Sequence, residues 1–114
     1  MKEWITVCRL DEIVPDRGVA ALVDGEQIAI FRLASGELYA VSHRDPATGA
    51  NVMARGLVGS RGGVPTVCSP LHKEVYDLRT GTNLDGDGDS LVTWEARQEN
   101  QLVRIRALRL ARTA

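Results

Sequence analysis

The 114-residue sequence predicts an all-β domain, a sandwich or small barrel with at most short helical turns. Three observations predict it. Apolar residues fall in short runs, mostly with the period of two that alternates side chains across a strand. Turn residues interrupt those runs every few positions, as in small sandwiches and barrels. No segment sustains a helical period long enough to stand as more than a turn.

The elements follow in order. Trp4–Cys8 alternates and reads as a strand. Leu10–Pro15 suits a short helical turn, capped by Asp11 and stopped by Pro15. The runs 19–23 and 27–33 flank Asp24-Gly25-Glu26, a hairpin signal because Gly tolerates positive φ. A second hairpin joins 31–33 to 38–41 across Ala34-Ser35-Gly36-Glu37. Residues 47–55 have room for another brief turn. Val64–Cys68 and 74–78 are further strands, and Arg79-Thr80-Gly81-Thr82 is a turn. The runs 91–97 and 101–107 form a last hairpin around Gln98-Glu99-Asn100, with Val103 and Ile105 on one face. The final ALRLARTA suits a marginal helix.

Composition narrows the function classes. Residues are 44% hydrophobic and 25% charged, ordinary for one globular domain with a real core. Fourteen basic against fifteen acidic residues leave a net charge of −1, so the basic excess of a nucleic-acid binder is missing. No stretch approaches a membrane span, and MKEWITVCRLDE has no signal-peptide apolar region. A cytoplasmic location with two free thiols, Cys8 and Cys68, is expected. Both cysteines read as small buried hydrophobes.

Charge is unevenly spread. The long Gly-rich passage from His43 to Lys73 carries Arg44, Arg55, Arg61 and Lys73 against Asp45 alone, a balance of 4 − 1 = +3. One strand is expected late in it, and loops this long are often functional. DGDGD at 85–89 resembles a calcium loop only superficially. Counting from Asp85, the required Gly falls on Ser90 and the required Glu on Ala96. An acidic turn remains. GSRGG at 59–63 lies outside the dinucleotide-binding pattern. From Arg97 onward five arginines meet one glutamate, a pattern usual for a solvated face.

The histidines carry the sharpest pattern. They lie in GELYAVSHRDPATGANVMARGLVG and in PTVCSPLHKEVYDLRTG. Each loop ends a strand, and the second runs into an aromatic-Asp-x-x-Thr-Gly turn at 76–81. The arrangement resembles the Rieske fold of stacked antiparallel sheets, whose [2Fe–2S] centre is held by two Cys and two His. That family's first loop is Cys-x-His and its second Cys-x-x-His, with Pro after the Cys. Overlaying the loops puts Val41 and Ser69 on the cysteine positions, and His43 and His72 on the histidine positions. Val41 has no donor and Ser69 only a hydroxyl. Cys68 is one residue out of register, which in a strand turns a side chain to the opposite face. No intact cluster is expected.

A closer resemblance covers residues from about 2 to 106. The opening WITVCRLDEIVPDRGVAALVDGEQIAIFR, the S-x-R-D-P turn at 42–46 and the step Arg55-Gly56-Leu57 carry it. So do Ser69-Pro70-Leu71 and the closing WEARQENQLVRIR. Together they are similar to the small subunits of assimilatory NAD(P)H-dependent nitrite reductases, Rieske-fold proteins without the cluster. His43 departs from an expected Asn, and His72 stands where Lys is common. The resemblance implies one domain over 1–114, with a core from about 3 to 107 and a basic tail over 108–114. It implies no catalytic or cofactor-binding residue in this chain. FAD, a [4Fe–4S] cluster and sirohaem would lie in the large subunit of a complex that reduces nitrite to ammonium in nitrate assimilation.

The implied role is docking on that large subunit, with no nucleic acid or membrane partner. The candidate interface is His43, Arg44, Asp45, Pro46, Arg55, Ser69, Pro70, His72 and Lys73. Other readings stay open residue by residue. Arg55 suits anchoring of the loop through backbone carbonyls, with partner recognition second. Ser69-Pro70 suits a rigid turn, and Trp4 and Trp94 suit packing. Under two alternatives, a Rieske-type ferredoxin or a mononuclear metal site, His43, Cys68 and His72 would be ligands.

Overall fold

The structure is a computed structural model that describes residues 4–71, 73–86 and 88–107. Among the described residues nine strands build two antiparallel sheets. The larger has the order β1-β9-β8-β4-β3-β2, from β1 (Ile5–Arg9), β2 (Arg17–Val23), β3 (Glu26–Arg32), β4 (Leu38–Ser42), β8 (Thr93–Glu99) and β9 (Leu102–Ala107). The smaller has the order β5-β6-β7, from β5 (Leu57–Arg61), β6 (Val64–Cys68) and β7 (Val75–Asp77). The predicted all-β fold of antiparallel sheets with only short helical turns is the one observed.

Strand alternation explains the layering. On β3, Ile28 and Ile30 enter one apolar cluster with Ile13, Ala40, Val103 and Ile105. Their neighbours Ala29 and Phe31 enter a second cluster with Val41, Met53, Val67 and Tyr76. Thus β3 is buried on both faces, as its unbroken run IAIF requires. The larger sheet wraps the first cluster, and the smaller sheet and loops cover the second. Each fully buried Ile or Phe contributes roughly 1.5–3 kcal/mol.

Turn chemistry sets the hairpins. Asp24 and Gly25 both take positive φ, 51° and 81°, matching the two-residue turn whose twist suits paired strands. The 76–81 turn closes as Asp77 Oδ1 accepts the Arg79 backbone N–H at 2.8 Å, while the Asp77 carbonyl accepts Gly81 N–H at 2.7 Å. Trp94 packs on the first cluster, and both the Arg97 and Arg106 guanidiniums lie over the Trp4 ring, at 4.0 and 4.5 Å.

Four expectations are corrected. The 43–73 passage holds two strands, because β5 pairs with β6 across Gly62-Gly63, both at positive φ. The last hairpin turns at Asn100-Gln101, also both at positive φ, and β8 therefore runs to Glu99. The first helical turn is a 3-10 helix, Leu10–Glu12, whose leading Arg9 N–H donates to Glu12 Oε1 at 2.7 Å. Asp11 does not cap it; it pairs with the Arg9 guanidinium. Cys8 and Cys68 are free thiols and only half-buried. The expected C-terminal helix lies outside the described residues, apart from Ala107, which ends β9.

Candidate functional site

The loops after β4 and β6 meet at one end of the molecule. His43 leaves β4 two residues beyond Val41, and alternation turns both toward the second cluster. His43 is 7% exposed. Its backbone N–H donates to the Gln27 carbonyl at 3.1 Å, and its carbonyl accepts Met53 N–H at 3.0 Å. Its Nδ1 accepts the Ala54 N–H at 3.1 Å, at the second 3-10 helix, Met53–Arg55. Burial, and then the nearby positive charge of Arg55, hold the imidazole pKa below its ordinary value. The Nδ1 lone pair thus ties the start of the loop after β4 to the 3-10 turn near that loop's end.

Asp45 is fully buried and ties the two loops together. Its Oδ1 accepts Ala47 N–H at 2.9 Å, and its Oδ2 accepts the Ser69 hydroxyl at 2.8 Å. Ser69 is 1% exposed and its oxygen also accepts Leu71 N–H at 3.3 Å. The Ser69 carbonyl accepts Lys73 N–H at 3.0 Å, closing the second loop. Beneath it, Glu74 Oε1 accepts both the Tyr76 hydroxyl at 3.1 Å and Asn83 Nδ2 at 3.2 Å. Burial, the bond to Glu74 and the charges of Glu74 and Asp45 push the Tyr76 hydroxyl pKa far above its ordinary value.

The outer surface is different. Arg44, Arg55 and Lys73 are exposed, while Pro46 and Pro70 are half-buried. Six other arginines, at 9, 61, 79, 97, 104 and 106, each meet a carboxylate. Among the described residues Arg44, Arg55 and Lys73 meet none, so three of the four cations noted in the 43–73 passage stay uncompensated. The fourth, Arg61, pairs with Asp85 at 2.9 Å. Among the described residues no backbone carbonyl accepts from the Arg55 side chain. A different segment, between β1 and β2, is held by Arg32, whose Nη1 donates to the Ile13 carbonyl at 2.9 Å and the Leu10 carbonyl at 3.3 Å. A cleft of about 420 Å³ beside Arg44 and Pro46 is closed on its far side by Asp89–Val92.

The residues at the ligand positions do not fit an iron–sulfur cluster. Val41 is fully buried in the apolar cluster and has no donor atom. The Ser69 hydroxyl is engaged by Asp45, and His43 Nδ1 by Ala54. Cys68 sits in β6 opposite Leu57 and Val75, with its thiol against its neighbour's carbonyl, the Ser69 oxygen, at 3.7 Å. His72 lies outside the described residues. Among the described residues no three of His, Cys, Asp and Glu gather in metal-binding geometry.

Residues 3–106 match the family of Rieske-like [2Fe–2S] domains. The NADH nitrite reductase small subunit of Salmonella typhimurium is 37% identical over 107 residues, 93% of this chain and 99% of that one. The chain belongs to the nitrite reductase small-subunit family. A crystal structure from Mycobacterium tuberculosis, assigned to the NADH-dependent small subunits, superposes with a TM-score of 0.90 at 39% identity, covering 95% of this chain and 97% of that one. The Klebsiella oxytoca NAD(P)H nitrite reductase large subunit contains a segment 38% identical over 99 residues, 87% of this chain and 10% of its own. The small-subunit relatives place this chain with an oxidoreductase. Among the described residues no helix is long and apolar enough to cross a membrane.

The sequence reading named the loop residues without separating their positions. His43, Asp45 and Ser69 are buried and hold the loops, whereas Arg44, Arg55 and Lys73 face outward. It passed over Glu74, Tyr76 and Asn83, which carry no motif beyond the aromatic that opens the 76–81 turn.

Proposed function

We propose that this chain is a docking subunit of cytoplasmic NAD(P)H nitrite reductase in nitrate assimilation. It acts as a single domain with no redox centre of its own. The large subunit supplies FAD, a [4Fe–4S] cluster and sirohaem, and the tip formed by the two loops seats on that subunit. The observation that carries this reading is the contrast within the tip. Its interior is a hydrogen-bonded clamp of protein groups, and its surface holds three cations without acidic partners among the described residues. Such a surface favours an acidic patch and speeds encounter through the field it projects. The Klebsiella large subunit supports the pairing, since a segment like this one is part of the same chain there.

Charge reversal tests it. Arg44→Glu combined with Lys73→Glu is expected to slow association with the purified large subunit and to flatten its dependence on salt. Unchanged association at every salt concentration would sink the proposal. The metal-bearing alternatives through His43, Cys68 and His72 are separated by metal analysis of untagged, anaerobically purified protein. Stoichiometric iron or zinc would favour one of them.

A further inference from the structure

We infer that the groove beside the tip, between β2 and the segment 54–57, takes an acidic, apolar-anchored segment of the large subunit. This rests on the docking reading and extends it to a second surface. The groove has a volume of about 530 Å³ and is walled by Val14, Arg17, Arg55 and Leu57. Leu57 is 74% exposed and Val14 62%, among the most exposed large apolar side chains described. Exposed apolar side chains that cluster, rather than scatter, mark interaction sites.

The floor is built for close backbone contact. A Cβ on Gly18 would lie 2.7 Å from the Phe31 ring and 2.8 Å from the Ala54 carbonyl oxygen. A Cβ on Gly56 would lie 2.6 Å from the Cys68 carbonyl oxygen. β2 and the 3-10 turn are therefore pressed together, and the rims stand up from a backbone floor.

Charge identifies the occupant. Arg17 and Arg55 meet no carboxylate among the described residues. Glu12, also in the wall, has its Oε1 engaged by the Arg9 N–H. Two free guanidiniums flanking apolar side chains suit carboxylates on a chain that also carries an apolar residue. Arginine binds carboxylates through paired N–H donors and is enriched at interface centres. Arg55 borders both this groove and His43, so the groove continues the tip surface. Nucleic acid is disfavoured by the net charge of −1.

The test uses Arg17→Glu and Leu57→Ser, neither at a residue of the tip. Both side chains are exposed, and a far-ultraviolet and near-ultraviolet dichroism comparison confirms the fold. Binding to the purified large subunit is measured by calorimetry, with sedimentation of the chain alone. Each variant is expected to weaken binding by roughly tenfold or more, while Arg17→Lys, which keeps the charge but not the paired donors, loses less than Arg17→Glu. The Arg17→Glu loss shrinks as salt rises. Wild-type affinity in both variants, while Arg44→Glu with Lys73→Glu binds more slowly, overturns the groove and leaves the tip standing. No association by the wild type overturns both. Self-association of the wild type that Arg17→Glu abolishes overturns the proposal in favour of a second copy.

Discussion

The Ser69 hydroxyl donates to Asp45 Oδ2 at 2.8 Å with both side chains buried, so one hydrogen bond joins the loop after β4 to the loop after β6. Ser69 stands at a cysteine position of the Rieske pattern. Where a cluster would bridge the loops, a carboxylate and a hydroxyl bridge them instead. A buried carboxylate is expensive unless its lone pairs are met, and the Ala47 N–H and the Ser69 hydroxyl meet both Asp45 oxygens.

Removing the hydroxyl leaves one Asp45 oxygen without that donor. Ser69→Ala is expected to lower stability by about 1–3 kcal/mol, read by denaturant unfolding. Because the two residues share the bond, Ser69→Ala with Asp45→Asn should cost less than the sum of the two single changes. Strict additivity would show that the clamp carries no coupling.

The placement of His43 gives a pH dependence with a definite sign. Its folded pKa lies below the unfolded value of 6.5, chiefly through burial, so the unfolded chain binds the proton more readily. The histidine's contribution to stability is complete above pH 6.5 and is lost as pH falls from there through the folded pKa. Asn at 43 can still accept the Ala54 N–H with its side-chain oxygen, but it does not titrate. Unfolding curves between pH 7.5 and about pH 5 should therefore fall less steeply for His43→Asn than for the wild type. Equal slopes would remove His43 as the titrating group.

Much of this was legible in the sequence, and the rest failed for identifiable reasons. Asp24-Gly25 announced the β2–β3 hairpin, and SHRDP and SPLH located the two loops; that β3 is buried on both faces emerged only in the fold. Strand β5 was hidden because LVGSR has few apolar residues and its burial is slight. The Asp45–Ser69 bond was hidden because the partners lie 24 residues apart and only the folded chain brings them together. The Arg32 bonds were hidden for the same reason, since Arg32 lies 19 and 22 residues from the Ile13 and Leu10 carbonyls it meets.

Arg32 supplies the next test. Its guanidinium satisfies two carbonyls of the segment between β1 and β2, so Arg32→Leu should cost about 1.5–3 kcal/mol, as hydrogen bonds from a charged group do. Lysine at 32, whose compact ammonium is more strongly hydrated and lacks the planar guanidinium, should recover only part of it. Full stability in Arg32→Leu would mean that water replaces the donor.

Gly56 and Gly86 separate packing from chance. Ala at 56 would press its Cβ on the Cys68 carbonyl at 2.6 Å, and the obstructing atom is backbone that cannot swing away. Gly56→Ala should cost about 1–3 kcal/mol. Nothing lies within 4 Å of a Cβ on Gly86, so Gly86→Ala should shift stability by less than about 0.5 kcal/mol. Equal effects at both sites would contradict the close approach of the 54–57 segment to β6.

The most direct test of the docking account mixes purified large subunit with and without this chain, first by co-purification and then by nitrite-dependent NAD(P)H oxidation. The chain used is confirmed to carry no iron. The account predicts a stable complex and higher or longer-lasting turnover when the iron-free chain is present, with both effects reduced by Arg44→Glu combined with Lys73→Glu. Indifference of association and turnover to the chain, or an effect only after iron is loaded into it, would contradict the account.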